Sequence, residues 1–539
     1  MQLAVSALVC FDTWFRLFLL VLPKMANFNF FCTSFLVSIL VYRGVVVAND
    51  CIPRHYGKSS FVCVCNATYC DDSPTVGDLA AGQATLISST RADARFRITN
   101  LTFFVGFSNS LLANQIFIDP SVQYQKILGF GGAFTDAAGI NIAKLSILAQ
   151  QNLLKSYFGS EGIEYGLGRV PIGGSDFSTL AYTYDDFPGD NNLANFSLTK
   201  EDLFFKIPYI SWAQSFSAKP IKLLASPWSA PAWMKSNGKL NGKGYLLQEY
   251  YQVWAEYIAR FFEEYKSHNL HFFAVTPQNE PSDGNIPDFP FNCMGWTPEQ
   301  QAMFVGLNLG PTLEASGFGS VKIMIMDDQR LLLPKWAESV LSHPLAKKYV
   351  AGVAVHWYTD LFTPATVLTK FHEKFPDHFI LATEACEGDK PWQPAVSLGS
   401  WERLESYAHN IIEDLNHWVT GWMDWNLALD ERGGPNWAGN FVDSPIIVNK
   451  ARDEFYKQPM FYALGHFSKY IPEDSVRIGI DLIDNSNFFG TAFKRPDGKR
   501  TIVLLNRSNE DKLIMLVDRE RGALEFTCPA RSLNTVVYG

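Results

Sequence analysis

The sequence predicts an α/β protein built on a (β/α)8 TIM barrel, with an accessory β domain assembled from the two ends of the chain. From about residue 124 onward, short apolar runs alternate with amphipathic stretches, which is typical of βα units around a parallel sheet. Eight such runs fit one closed barrel. Segments 78–123 and 474–539 instead contain short strand patterns broken by Gly, Asn and Asp, which predicts the β domain.

The eight predicted strands are KILGFGGAFTD (126–136), YGLGRVPIGGSD (165–176), IKLLASPW (221–228), HFFAVTPQNE (271–280), VKIMIMDD (321–328), GVAVHWY (352–358), HFILATE (378–384) and GWMDWN (421–426). Helical patterns between them include residues 141–158, 249–268 and 401–419. PMFYALGHFSKYI (459–471) is predicted as the eighth helix, displaced along the chain by an insertion at about 427–458.

Each predicted strand ends on a polar or aromatic residue: Asp136, Asp176, Trp228, Glu280, Asp328, Tyr358, Glu384 and Asn426. The carboxyl ends of the strands of such a barrel converge on one face, where active sites lie. The sequence therefore predicts an active site at this face.

Glu280 and Glu384 end the fourth and seventh strands, on roughly opposite sides of the barrel mouth. Two facing carboxylates suit glycoside hydrolysis, with retention of configuration at a separation of about 5 to 5.5 Å and inversion at about 6.5 to 9.5 Å. The nucleophile must stay ionised, held by donors such as Arg169 or a tyrosine hydroxyl, and Asn279 is placed to bind a sugar hydroxyl. The competing interpretation makes both glutamates solvated loop residues.

The chain has 539 residues, a formal net charge of −9 and a sequence pI of about 5.6, without a basic stripe, so nucleic acid is not expected as a partner. Aromatic residues make up 14% of the chain, which hints at a carbohydrate or lipid site. His356 with Asp327 and Asp328 lacks the motif of a metal site, so we expect no metal and no cofactor.

Residues 1–48 are apolar and nearly free of charge, which predicts a secretory signal peptide cleaved before Asn49; an N-terminal membrane anchor is the alternative. Cys51, Cys63, Cys65 and Cys70 follow closely. In an exported chain such clustering indicates two disulfides, and the pairs Cys51–Cys63 and Cys65–Cys70 close the shortest loops. A zinc site competes but lacks the usual ligand spacing.

Three other cysteines, Cys293, Cys386 and Cys528, are expected to be free thiols. Four Asn-x-Ser/Thr sequons fit passage through a glycosylating compartment and predict glycans at Asn66, Asn100, Asn195 and Asn506.

With these residues in place, the chain resembles the glucosylceramidases of glycoside hydrolase family 30. The resemblance runs from CIPRHYGKSSFVCVCNATYCD (51–71) almost to the end, through LLASPWSAPAWMK (223–235), DDQRLLLP (327–334), GWMDWNLALDERGGPNWAGNFVDSPIIV (421–448) and FYKQPMFYALGHFSKYIPE (455–473). It implies a barrel at 124–426 with 459–473 and an immunoglobulin-like β-sandwich at 78–123 with 474–539. It also implies a small disulfide-bonded antiparallel sheet at 49–77 with 427–458, and its pattern matches the two disulfides.

By the same resemblance, Glu280 is the acid/base and Glu384 the nucleophile of a retaining mechanism. The implied glucose-binding residues are Asp176, Trp228, Asn279, Phe291, Tyr358, Trp425 and Asn436. The resemblance further implies cleavage of glucosylceramide at acidic pH on lysosomal membranes, with a saposin-type activator protein, anionic membrane lipid and a lysosomal sorting receptor as partners.

Two other functions compete with this one. The protein is either a retaining hydrolase of another β-glycoside, such as a soluble or steryl glucoside or a xyloside, or a catalytically silent glycolipid-binding protein. Loops above a barrel set substrate choice, so the fold leaves the first alternative open. The presence of both Glu280 and Glu384 counts against a catalytically silent binding protein.

Overall fold

The computed structural model describes residues 49–104, 114–482 and 487–539. The predicted signal peptide, residues 1–48, lies outside them. No helix in the described ranges is long and apolar enough to cross a bilayer.

Eight parallel strands close into a barrel, as predicted, and we number them barrel strands 1 to 8 in chain order. They are Gly129–Ala133, Leu167–Ile172, Lys222–Pro227, Phe272–Val275, Lys322–Gln329, Val350–His356, Phe379–Glu384 and Val419–Asn426. Strands 2 to 8 contribute one residue each to a buried layer: Leu167, Leu224, Ala274, Met324, Ala354, Leu381 and Met423. Such filled layers make the barrel a packed core rather than a pore.

Strand 1 has Gly131 where the other strands carry a side chain. A Cβ at Gly131 would lie 2.1 Å from the carbonyl oxygen of Leu167 on strand 2. The close approach of strands 1 and 2 therefore requires glycine.

The α-helices in the described ranges are Asp136–Ala143, Ile147–Phe158, Ile207–Phe216, Tyr251–Ser267, Pro298–Phe304, Gly310–Ala315, Lys335–Ser342, Pro344–Tyr349, Thr366–Lys374, Trp401–Asn416 and Pro459–Ser468. The last is the predicted eighth helix. The region predicted as one helix at 141–158 contains two, because the first ends at Ala143 and Ser146 takes an extended conformation before the second.

Among the described residues, the β domain contains nine strands, in the spatial order Gly522–Cys528, Lys512–Asp518, Asn114–Lys126, Val476–Leu482, Phe488–Lys494, Arg500–Asn506, Ser532–Tyr538, Gln83–Thr90 and Arg97–Thr102. Strand Arg500–Asn506 is buried on both faces. Ile502 and Leu504 belong to the core of the β domain, whereas Val503 and Leu505 belong to the large core cluster that includes the barrel helices. This period-two alternation joins the two domains.

A third sheet combines Pro53–His55 and Phe61–Asn66 with Leu429–Asp430, Ile446–Asn449 and Glu454–Lys457. Strand Phe61–Asn66 contains Cys63 and Cys65, which form the predicted disulfides Cys51–Cys63 and Cys65–Cys70, so both pairings are confirmed. Cys293, Cys386 and Cys528 are free and buried.

The four predicted glycosylation sites differ in exposure. Asn100 and Asn195 are exposed and Asn66 is half-buried, so these sites stay predictions. Asn506 is completely buried, and its side-chain nitrogen donates to the carbonyl oxygens of Glu510, Cys528 and Pro529. A glycan on that nitrogen is incompatible with the folded β domain, and the prediction for Asn506 is corrected accordingly.

Candidate active site

Glu280 and Glu384 face one cavity of about 220 Å³ at the carboxyl-end face of the barrel. One carboxylate oxygen of each lies within 4.8 Å of the other. The cavity is lined by Asp176, Phe177, Trp228, Glu280, Phe291, Tyr358, Glu384, Cys386, Asp389, Trp425, Asn440 and Val442. The predicted convergence of the fourth and seventh strand ends is therefore found.

Glu384 ends barrel strand 7 and receives hydrogen bonds from two side chains. Arg169, fully buried on strand 2, forms a short ion pair with one of its oxygens, and the hydroxyl of Tyr358 donates to the other at 2.7 Å. These are the two kinds of donor that the sequence predicted for an ionised carboxylate. The same guanidinium donates to Asn279 Oδ1 at 2.7 Å, which fixes that amide beside Glu384.

Glu280 has different neighbours. Its Oε1 accepts a hydrogen bond from the Gln329 amide at 2.8 Å and lies 3.0 Å from Nδ1 of His356. The other imidazole nitrogen lies 3.0 Å from Asp327 Oδ1. His356 therefore bridges a buried aspartate and Glu280, whereas Glu384 contacts a permanent cation.

Asp327 contacts both Arg169, the partner of Glu384, and His356, the partner of Glu280. Its Oδ2 accepts from Arg169 at 2.9 Å, from Ser226 at 2.9 Å and from Thr276 at 2.6 Å. Burial raises the pKa of Asp327, but the charges and hydrogen bonds of Arg169 and His356 outweigh it and hold the pKa well below its usual range. A permanently ionised Asp327 thus orients both cationic groups under the cavity.

The backbone at this face is strained. Glu280, Met326 and Asp327 have φ values of +42°, +72° and +57°, which side chains with a Cβ rarely adopt. The Glu280 N–H donates to the carbonyl oxygen of Asp327 at 2.9 Å, which ties the two irregular segments together. Such strain is typical of functional sites, where the surrounding structure holds it in place.

Aromatic rings and amides form the wall where a sugar would lie. Trp228 and Trp425 stack with ring centroids 5.1 Å apart, and the Arg169 guanidinium lies over both. Burial and the nearby charges of Glu384 and Glu280 raise the pKa of Asp176 to about 7. Its Oδ2 accepts hydrogen bonds from the Asn440 amide at 3.1 Å and the Asn436 amide at 3.3 Å.

The carboxyl groups of Glu280 and Glu384 have opposite pKa shifts. Burial raises the pKa of Glu384, although the charges of His356 and Arg169 oppose it. Burial also acts to raise the pKa of Glu280, but the hydrogen bond and charge of His356 lower it. Burial lowers the pKa of His356, yet Glu384, Asp327 and Glu280 raise it to about 10. Carboxylates this close titrate as a pair, so the first proton taken up is shared.

Two groups in the described part of the chain have the spacing of a metal site. Cys65, Cys70 and Asp71 form one, but both cysteines are in the disulfide. Glu280, His356 and Glu384 form the other, and both nitrogens of His356 are already hydrogen-bonded to carboxylates. Neither group offers the free ligand set of a metal centre.

Seven of the nine predicted site residues line the cavity. Asn279 is held beside the cavity by Arg169, which donates a hydrogen bond to its Oδ1. Asn436 contacts Asp176, and its Oδ1 accepts hydrogen bonds from the backbone of Ala438 and Asn440. Asn440, which sequence reasoning missed, lines the cavity itself. The turn at 436–440 determines which asparagine points inward, and no sequence pattern encodes that choice.

Asp327 and Gln329 were also missed as site residues. Their only signal was position, since they lie at the carboxyl end of barrel strand 5. Asp136 and Asn426, two of the polar strand ends, lie elsewhere: Asp136 pairs with Lys206, and Asn426 accepts a hydrogen bond from Thr135. Polar strand ends therefore include structural as well as site residues.

Comparison with known proteins agrees with this geometry. Residues 127–471 match the glycosyl hydrolase family 30 TIM-barrel domain, and residues 474–536 match the glycosyl hydrolase family 30 beta sandwich domain. The chain is 47% identical to lysosomal acid glucosylceramidase of Mus musculus over 496 residues, covering 91% of this chain and 96% of the relative.

Solved structures give the same result. The crystal structure of SrfJ from Salmonella typhimurium is similar at 29% identity and a TM-score of 0.78, covering 85% of this chain and 99% of SrfJ. The endo-β1,6-glucanase BT3312 is similar at 25% identity and a TM-score of 0.74, with the same coverage of 85% and 99%. The chain is therefore a glycoside hydrolase that belongs to glycosyl hydrolase family 30.

Proposed function

We propose that this protein is a retaining β-glucosidase that hydrolyses glucosylceramide to glucose and ceramide at acidic pH by double displacement. The observation that carries the proposal is the placement of Glu280 and Glu384 oxygens within 4.8 Å of each other in one cavity. Retaining glycosidases hold their carboxyl groups about 5 to 5.5 Å apart, whereas inverting enzymes need room for a water between them. The similarity to lysosomal acid glucosylceramidase supports the choice of substrate.

Glu384 is the proposed nucleophile. Arg169 and Tyr358 donate to both of its oxygens and favour the ionised form, which attacks the anomeric carbon. When Glu280 takes up a proton, its negative charge no longer raises the pKa of Glu384. Protonation of one carboxyl therefore helps the other stay ionised.

Glu280 is the proposed acid/base. It gives its proton to the glycosidic oxygen in the first step and takes one from water in the second. Because His356 lowers the pKa of Glu280, the protonated acid accumulates only at low pH. This supports operation at acidic pH.

The glucose unit is proposed to bind between the Trp228–Trp425 stack and the polar group formed by Asp176 and Asn279. Phe291 and Tyr358 line the cavity near it. We add Asn440 to the residues proposed from the sequence, and we assign Asn436 the role of holding Asp176 and the turn that carries Asn440.

The protein surface on the side of the cavity where the ceramide would lie is proposed to contact an anionic membrane. Leu361, Phe362 and Trp392 are 73%, 77% and 72% exposed, unusually high for large apolar side chains. Leu361 and Trp392 line a second cavity of about 480 Å³, which shares Tyr358 and Asp389 with the catalytic one. This neighbourhood supports peripheral membrane contact beside the entrance.

The remaining partners and the location rest on the sequence resemblance. We propose passage through the secretory pathway as a glycoprotein, delivery to the lysosome by a sorting receptor, and assistance from a saposin-type activator. The similarity to lysosomal acid glucosylceramidase supports the lysosomal location.

The deciding experiment traps the covalent intermediate. The mature protein is incubated with a 2-deoxy-2-fluoro-β-glucoside bearing a good leaving group and digested for peptide mass spectrometry. We expect the sugar on the peptide containing Glu384 and none in the Glu384→Gln variant. A folded protein that gains no sugar at acidic or neutral pH would overturn the retaining glucosidase.

The substrate is tested by comparing hydrolysis of glucosylceramide, an aryl β-glucoside and a β1,6-glucan. We expect turnover of the first two. Preferential cleavage of the glucan would instead indicate an activity like that of the structurally similar endo-β1,6-glucanase, and binding of glucosylceramide without turnover would indicate a silent glycolipid-binding protein.

A further inference from the structure

Glu280 lies on irregular backbone rather than on a strand. Barrel strand 4 already ends at Val275, and the φ of Glu280 is +42°. Sheet pairing therefore does not fix the direction of its carboxyl group. An acid/base must nevertheless hold one oxygen at the leaving group, so neighbouring side chains have to orient the carboxyl group.

Gln329 and His356 lie opposite each other on barrel strands 5 and 6. Both contact the same oxygen of Glu280, because Oε1 lies 2.8 Å from Gln329 Nε2 and 3.0 Å from His356 Nδ1. Burial lowers the pKa of His356, but Glu384, Asp327 and Glu280 raise it to about 10, so the charged ring donates through Nδ1. Oε1 thus accepts two hydrogen bonds, which leaves Oε2 as the oxygen that carries the proton of the acid.

The amide of Gln329 is held with its nitrogen towards Glu280. Its oxygen accepts a hydrogen bond from the backbone N–H of Thr359 at 3.2 Å. A backbone N–H can only donate, so the amide oxygen faces Thr359 and the amide nitrogen faces Glu280. A neutral amide also remains a donor at every pH at which the protein is folded. Gln329 can therefore keep this contact while Glu280 loses and regains its proton.

We propose that Gln329 is a positioning residue that fixes the Glu280 carboxyl group by donating to Oε1, so that Oε2 delivers the proton to the leaving group. This inference rests on the proposed function. In the first step the Oε2 proton moves to the glycosidic oxygen, the electron pair of the C–O bond stays with that oxygen, and a Glu384 oxygen bonds to the anomeric carbon. In the second step water displaces Glu384 and gives a proton to Oε2. Gln329 exchanges no proton in either step.

The test compares Gln329→Met with the wild type on an alkyl β-glucoside and a dinitrophenyl β-glucoside. Methionine is similar in length and flexibility but has no hydrogen-bond donor. We expect kcat/KM for the alkyl glucoside to fall at least about tenfold, because its leaving group needs the proton that Glu280 supplies. The kcat/KM for the dinitrophenyl glucoside should stay within about twofold, because its first step needs no proton.

The second step gives an independent readout, since Glu280 acts there as the base. With the dinitrophenyl glucoside, a slower second step in Gln329→Met lowers kcat and KM together. Azide attacks the anomeric carbon of the glucosyl-enzyme without needing a base, and Glu384 leaves as the carboxylate. Added azide should therefore restore kcat of Gln329→Met and release glucosyl azide.

The matched control is Gln125→Met. Gln125 is half-buried like Gln329, but its amide donates to the carbonyl oxygens of Leu415 and Val419, where barrel strand 8 begins. Loss of this contact loosens the fold far from Glu280, so any loss of activity should be equal on both substrates. If Gln329→Met does not fold, Gln329→Leu replaces it as a second variant without a donor.

Two results would overturn the proposal. The folded Gln329 variant could show unchanged kinetics on both substrates. It could also lose activity equally on both and gain nothing from azide, as expected of Gln125→Met, which would mean a structural role only.

Glu280→Gln separates this inference from the proposed function. If the wild type hydrolyses no glucoside, or if Glu280→Gln slows both substrates alike, the proposed function fails and the inference fails with it. A dependence on the leaving group that appears in Glu280→Gln but not in Gln329→Met overturns the inference alone.

Discussion

At the scale of single residues, Arg169 gives Glu384 surroundings that differ from those of Glu280. Its guanidinium is fully buried and contacts Glu384, Asp327 and Asn279. A buried charge is tolerated only with such complete pairing. The same side chain therefore fixes Glu384, the amide beside it and the aspartate that orients His356.

Glu280→Gln separates acid catalysis from nucleophilic attack. We expect hydrolysis of glucosylceramide to fall by roughly 10² to 10⁴, because its alkoxide leaving group needs a proton. The dinitrophenolate of a dinitrophenyl glucoside leaves without protonation. The rate of the glycosylation step with this substrate should therefore be nearly unaffected. The measurement is kcat/KM for both substrates.

Asn279→Asp provides a control beside Glu280, since it alters an amide that is proposed to bind the sugar and should slow both substrates alike. Equal losses on both substrates in Glu280→Gln would contradict the acid/base role.

At the scale of secondary-structure elements, barrel strand 5 produces the least predictable part of the site. Its pairing with strand 6 shifts register between Met326 and Asp328. The shift coincides with the positive φ values of Met326 and Asp327. Such a bulge places two residues opposite one and changes the face to which the next side chains point. Asp327 is thereby placed under the cavity and Gln329 beside Glu280.

The loop after strand 6 carries a prediction about membrane contact. Replacing both Leu361 and Phe362 with serine removes exposed apolar surface beside the entrance. We expect hydrolysis of glucosylceramide in anionic vesicles to fall at least about threefold, because each apolar side chain buried in lipid contributes roughly 1.5–3 kcal/mol of binding. Hydrolysis of a soluble aryl glucoside should not change.

Ile147→Ser with Leu148→Ser is the matched control, because both residues are 57% exposed on a helix outside the cavity lining. Vesicle sedimentation and both activities are measured for each double variant. Similar behaviour of the two variants on vesicles would contradict a specific role for the loop.

At the scale of the whole molecule, several buried carboxyl groups couple folding to pH. Burial, with neighbouring acidic groups, raises the pKa of Asp176 and Asp414 to about 7 and that of Asp360 to about 8. An unfolded aspartate has a pKa of about 3.9. The folded state therefore binds more protons between pH 8 and pH 4, and its stability rises as the pH falls through this range.

His466 acts in the opposite direction, because burial lowers its pKa to about 3 and the unfolded chain binds the proton first. Burial also lowers the pKa of the half-buried His372, His378, His409 and His417, which act in the same direction as His466. The pKa of His356 is instead raised to about 10, so His356 acts in the same direction as the carboxyl groups. We therefore expect the Tm at pH 5.5 to exceed that at pH 7.5 by roughly 5 °C, measured by calorimetry in buffers of equal ionic strength.

Asp176→Asn should reduce this difference, since it removes one of the contributing carboxyl groups without breaking an ion pair. A Tm that falls on acidification to pH 5.5 would mean that these groups are ionised in the folded protein.

The barrel, the separate β domain, the two disulfides and the two glutamates could all be predicted from the amino-acid sequence. This was possible because strand and helix periodicity, strand-end position and cysteine spacing are local signals. The partners that those residues meet become visible only in the folded chain. Arg169 meets Glu384 across 215 residues and His356 meets Glu280 across 76, while a bulge and a turn select Asp327 and Asn440. These choices depend on backbone geometry and on contacts distant in sequence, which no local pattern encodes.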